Sequence, residues 1–131
     1  MRAQISDPPG PNFYRYFVNT NSNGMRRDAF SVLEDPFFDG RQVTFPLNRP
    51  ANDGEEFDLA TFGLFNRADS VTLKWVNFGR REFDFWNTLE FSAANQGPFS
   101  SGTIVSSNIN GGLGVWCAQS ASYYELVVPP N

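Results

Sequence analysis

Turns interrupt this chain so often that long regular elements have little room to form. DPPGPN (7–12), NTNSNG (19–24), EDPFFDG (34–40), NRPANDGEE (48–56), NRADS (66–70) and SNINGG (107–112) recur along its whole length. Proline removes a ladder donor, glycine opens left-handed backbone, and Asn and Asp close turns with their own side chains. Between these breaks lie segments dense in aromatic and β-branched residues, and each predicts a strand: 13–18, 29–33, 41–47, 57–65, 70–78, 113–119 and 123–128. Residues 41–47 and 70–78 alternate cleanly, the first with Val43, Phe45 and Leu47 on one face, the second with Val71, Leu73 and Trp75. Pro46 puts the former at an edge or beside a bulge. The run 57–65 alternates weakly and predicts a strand buried on both faces. The expected fold is mainly β: an antiparallel β-sandwich or curved sheet of six to seven strands.

The apolar period changes once. In 79–96, GRREFDFWNTLEFSAANQ, the residues Phe85, Trp86, Leu89 and Ala93 fall within an arc of about 100° at helical spacing. This predicts one amphipathic helix, 80–95, packed on the sheet by that stripe, capped by Asn77 and stopped by Gly97-Pro98. Phe83 and Phe91 lie off the stripe, covered by neighbouring loops or else exposed for a partner. A chain of 131 residues fits one domain. Residues 13–131 form a single β-rich domain in this reading, and 1–12 a Pro-rich linker or lead-in, taken as the cut end of a longer protein.

Composition excludes several chemistries. No histidine is present, so Ser-His-Asp, Cys-His and His-based zinc sites are impossible within this chain. A single cysteine, Cys117, cannot form an internal disulfide. The net charge of −4, with only Arg26-Arg27 and Arg80-Arg81 as basic pairs, disfavours nucleic acid as a partner. No apolar run approaches the roughly 18 residues a bilayer span needs, and residues 1–12 lack the apolar centre of a signal peptide. No cofactor or metal motif emerges. The Asp35/Asp39 turn offers oxygens for a cation, but without calcium-loop spacing it reads first as a structural turn. Paired carboxylates are the one catalytic set this composition supplies: Asp35 or Asp39 with Glu55, Glu82 or Asp84, as in a glycoside hydrolase.

The run SSNINGGLGVWCA (106–118) predicts a sharp bend leading into a strand. Gly111 and Gly112 permit positive φ, and Gly114 leaves a gap where a large ring of the helix would lie against backbone. As a structural motif the bend belongs with Gly97, Pro98 and Phe99. As a binding loop it offers Asn108, Asn110 and Trp116, to which the helix adds Trp86 and Phe91; Tyr14, Tyr16 and Tyr123 are further candidate aromatic contacts.

The order strand, aromatic-rich helix (EFDFWNTLEFSAANQ), GPFSSGT and SNINGGLGVWCA resembles the carboxy-terminal part of a Bacteroidota lipoprotein family, domain-of-unknown-function family four-two-four-nine. FFDGRQVTFPL (37–47) is similar to that family's FDG-containing hairpin, and the resemblance spans 13–128. It implies a lipidated protein at the outer membrane, accessory to TonB-dependent uptake, with an immunoglobulin-like β region ahead of this part. The lipobox cysteine and that β region are not in this sequence, and the family supplies no catalytic residues. The expected function is a non-enzymatic cell-envelope domain that binds a partner protein, such as a TonB-dependent transporter, or a nutrient ligand. The alternatives are a hydrolase fragment and a structural spacer module.

Overall fold

The computed structural model describes residues 1–28, 30–51, 54–56, 58–97 and 102–130. It is mainly β, with six strands in two antiparallel sheets and one helix: β1 (Arg2–Ser6), β2 (Phe13–Thr20), β3 (Val32–Glu34), β4 (Gln42–Pro46), β5 (Ser70–Phe78), α1 (Arg80–Ala94) and β6 (Ser120–Val127). The larger sheet has the order β3-β2-β5-β6, and β1 pairs with β4 in the smaller one.

The long alternating strands carry the fold. β2 and β5 pair over eight positions, from Phe13 opposite Phe78 to Thr20 opposite Val71. Because side chains alternate across a strand, this register fixes two opposite faces. Tyr14, Tyr16, Val18, Val71, Leu73 and Trp75 pack with Leu47 in one core cluster, roofed by Ala3, Ile5 and Phe45 of the smaller sheet. The Trp75 ring lies 5.1 Å from Tyr14 and 5.4 Å from Phe45. On the other face, Phe13, Val76 and Phe78 meet Phe83 of α1, with the Phe13 and Phe83 rings 5.2 Å apart. Both faces of β2 and β5 are thereby covered, so five of the eight residues of β2 and five of the nine of β5 are buried, and of the others only Ser70 is exposed.

Several sequence expectations need correction. Residues 2–6 are not linker but β1, because their alternation sets Ala3 and Ile5 toward the core while Arg2, Gln4 and Ser6 face out. Residues 7–12 are irregular, as their prolines require. The expected strand 29–33 forms over Val32–Glu34, with Ala29 outside the described residues. The strand expected at 57–65 does not form: Phe57 lies outside the described residues, 59–63 turn, and Leu59, Phe62 and Leu64 are exposed. Arg49 holds this excursion by donating Nε–H to the Leu64 carbonyl at 2.8 Å and receiving Glu55 on its fork. The segment 113–119 is irregular rather than a strand. Finally, the FDG segment is no hairpin, since β3 pairs with β2 and β4 with β1.

The helix begins at Arg80 with Gly79 as N-cap and no side-chain cap, so Asn77 is not its cap; it belongs to β5. At the other end Asn95 closes the helix, its backbone N–H and side-chain amide both donating to the Phe91 carbonyl. The docked face is rotated from the expected stripe: Phe83, Phe85 and Glu90 are buried, Trp86 and Leu89 are half-buried, and Ala93 is exposed. Phe83, set outside the stripe on apolar spacing, is a core residue.

Candidate functional site

β6 is built from SASYYELV, and it pairs with β5 over eight positions, from Ser120 opposite Asn77 to Val127 opposite Ser70. Two adjacent tyrosines and the closing Leu126-Val127 favour the extended state, and Pro129-Pro130 stop it. Every residue of β6 is nevertheless exposed. The helix lies against β2 and β3, so the α1-side face of β6, with Tyr123, Glu125 and Val127, is left open. On the other face Tyr124 and Leu126 rim a groove of about 460 Å³ that runs between β1 and the larger sheet, floored by Leu47, Leu73 and Trp75.

The backbone of β6 is open as well. Val128 N–H donates to the Asp69 carbonyl, and the Val128 carbonyl accepts from Ala68 N–H, so Val128 faces β5. Antiparallel ladders alternate, which directs the amides of Ser120, Ser122, Tyr124 and Leu126 at β5 and those of Ala121, Tyr123, Glu125 and Val127 outward. Among the described residues no strand pairs with that outer edge. Edge strands in monomers are commonly kept short or protected by Lys, Pro or a bulge. β6 has eight residues, one charge and none of these devices. Its apolar exposure is concentrated, with Tyr123 at 59% and Val127 at 63%.

The residues singled out in the sequence fall into separate places. Trp116 is 74% exposed, on a loop latched by Asn108: the Asn108 amide donates to the Trp116 carbonyl and its Oδ1 accepts Trp116 N–H, both at 2.8 Å. The Ser107 hydroxyl accepts N–H from Ile109 and Gly114, both at 3.2 Å. Gly111 alone of the 111/112 pair has positive φ (75°). Gly114 receives Ile109 and not a ring of the helix: a β-carbon there would stand 3.3 Å from Ile109 Cδ1. The loop supports the helix, since Ser106 N–H donates to Thr88 Oγ1 at 3.0 Å, but it leads into no strand. Asn110 and Asn108 line a polar cleft of about 310 Å³ with Arg81, Asp84, Ser106 and Ser107. Trp86 is a packing residue, with the Arg15 guanidinium 3.8 Å over its ring. Phe91 is exposed on α1, and Gly97 lies beyond the helix end. Pro98 and Phe99 lie outside the described residues. Of the other aromatic candidates, Tyr14 and Tyr16 are buried and Tyr123 alone stands on the open strand.

The carboxylates are committed to the chain's own donors. Asp7, which sequence reasoning passed over, joins Asp35 and Asp39 with oxygens within 4.8 Å of one another. Asp7 accepts the Tyr14 hydroxyl and Gly40 N–H, Asp35 accepts Asn12 N–H at 2.8 Å, and Asp39 accepts Gly10 N–H at 2.7 Å. The trio therefore ties 7–12 to the 34–40 turn. Glu55 is held by Arg49 and Asp84 by Arg80, on other parts of the molecule. Cys117 is half-buried, and burial pushes its thiol up from the usual range.

The open strand was the feature hardest to see in the sequence. Its signal was the expected strand 123–128, with one charge and placed last before a double proline; the structure begins that strand three residues earlier, at Ser120, and ends it at Val127. Comparison with protein-family models, curated proteins and solved structures returns no match to this chain.

Proposed function

We propose that this chain is a non-enzymatic binding domain whose docking surface is the free edge of β6, which accepts a β-strand from a protein partner. The observation that carries this reading is the eight-residue edge with outward backbone groups, exposed rings and an apolar groove beside it. Strand addition suits such an edge: main-chain hydrogen bonds supply affinity, and the side chains alternating toward the groove supply selectivity. The sequence resemblance described above supports a setting in the cell envelope, on an outer-membrane lipoprotein accessory to uptake or assembly, with a TonB-dependent transporter among the candidate partners.

The test is site-specific photocross-linking in cells that produce the protein. A photoreactive residue at Tyr123 is expected to give protein adducts that the same probe at Asn23, on an exposed turn, does not. Equal labelling from both positions, or none from either, would overturn the reading. A nutrient ligand is the second reading, favoured by the exposed, latched Trp116. It requires quenching or a shift of Trp116 fluorescence on titration with candidate oligosaccharides.

A further inference from the structure

We infer that the strand taken up by the β6 edge is β6 of a second copy, giving a two-fold dimer with one continuous eight-stranded sheet. This rests on the strand-docking reading above and names its partner. The argument is one of self-complementarity. A two-fold axis normal to the sheet makes adjoining strands antiparallel and keeps each face on its own side, so outward-directed residues must pair with outward-directed residues. If the axis passes at Tyr124, Ala121 opposes Val127 of the second copy and Tyr123 opposes Glu125, and all four outward residues of each strand are paired.

The neighbouring registers are worse for stated reasons. Centring on Tyr123 leaves the backbone groups of Val127 without a strand partner, and centring on Glu125 sets two carboxylates face to face. In the Tyr124 register each Glu125 instead meets a phenol, and beyond that ring lies Lys74, whose Nζ is 6.0 Å from the centre of its own Tyr123 ring. The single charge of the edge thus approaches an opposite charge across the axis. On the other face the two Tyr124 rings adjoin, Leu126 covers Ser122 of the second copy, and the two grooves become one apolar channel. The dimer closes, because the other end of the larger sheet is the three-residue strand β3.

Sedimentation equilibrium of the purified chain, 14.7 kDa as a monomer, is expected to give twice that mass at about 100 µM protein, as a micromolar Kd requires. Tyr123→Glu keeps the fold, since the new carboxylate faces Lys74 of its own chain, but it opposes Glu125 twice across the axis. It is expected to weaken the dimer about tenfold, with an unchanged far-ultraviolet dichroism spectrum. Register is read independently in a Cys117→Ser background. Tyr124→Cys opposes its own counterpart as a non-hydrogen-bonded pair, within disulfide reach, and is expected to form a cross-linked dimer on oxidation, whereas Ser122→Cys is not. A monomer at all concentrations whose Tyr123 probe still captures a different protein overturns the second copy and leaves strand docking standing. A monomer without adducts overturns both. A dimer untouched by Tyr123→Glu, or cross-linked through Ser122→Cys instead, overturns this edge and register.

Discussion

Glu90 is 2% exposed, and the chain surrounds it with donors. Its carboxylate accepts Ser31 N–H at 2.8 Å, the Ser31 hydroxyl at 2.7 Å and Arg15 Nη2 at 3.0 Å, with Arg27 Nη1 at 3.6 Å. Arg15 is itself buried between the Phe17 and Trp86 rings; burial lowers its pKa, and Glu90 opposes that shift. Removing one partner of a buried pair leaves the other charge unpaired. Glu90→Ala is therefore expected to cost about 3–5 kcal/mol in urea unfolding, and the double replacement Arg15→Met with Glu90→Leu less than Glu90→Ala alone. A second residue-scale expectation concerns alkaline pH. Burial, reinforced by Asp28, pushes Tyr16 up to about 12, and burial with the Asp7 hydrogen bond raises Tyr14 further. An unfolded tyrosine titrates near 10, so the unfolded state loses its protons first. Stability from these two rings is fully present below about pH 10 and declines as pH rises through the Tyr16 value of about 12. Denaturant midpoints measured across that window, beside tyrosinate absorbance, check the sign; midpoints that hold or rise would refute it.

At the scale of the element, helix docking separates what spacing reveals from what it hides. An apolar-only stripe finds Phe85, Trp86 and Leu89, yet the face that meets the sheet includes Phe83 and the charged Glu90, at helical spacing from Trp86. No hydrophobicity pattern assigns a glutamate to a core. Phe83→Ala is expected to cost about 3–5 kcal/mol by opening a cavity against Phe13 and Phe78. Leu89→Asp costs less, because Leu89 is only half-buried and its new charge keeps access to water. Thermal unfolding ranks the two, and the reverse order would show that the helix docks by the other stripe. In the 106–118 loop, glycines and asparagines announce a bend, but the bidentate latch of Asn108 on Trp116 joins residues eight apart in irregular backbone. Asn108→Ala is expected to cost about 1–2 kcal/mol and to speed amide exchange at Trp116 selectively. Uniform exchange throughout the loop would assign the latch no role.

For the whole molecule, the decisive arrangement is the smaller sheet lying over Tyr16, Trp75 and Leu47. Its two strands are 35 residues and more apart in the chain, yet they pair from Arg2 opposite Pro46 to Ser6 opposite Gln42. Deleting residues 1–6 is expected to uncover the Tyr16–Phe45–Trp75 ring cluster, which would then bind a hydrophobic dye and unfold with lower cooperativity. A truncated chain with unchanged dye binding would show that the core closes without β1. Much of the architecture was legible beforehand: strands 13–18, 41–47 and 70–78, the lone helix, the turns and the β-sandwich class all follow from period and punctuation. The failures share one cause. The stretches expected as strands at 57–65 and 113–119 carry apolar side chains, but among the described residues no ladder pairs with them, and residues 2–6 look like a lead-in until β4 pairs with them.

The sequence by itself determined local backbone preference: where turns fall, which stretches extend, which single stretch coils, and which chemistries a chain without histidine cannot perform. Tertiary structure decided which extended stretches found a partner, that a glutamate belongs under the helix, and that the last strand, among the described residues, has a neighbour on one side only. The reason is physical. Period and turn chemistry act over a few residues, whereas ladder partners, charge burial and a free edge depend on which distant segments come to lie side by side.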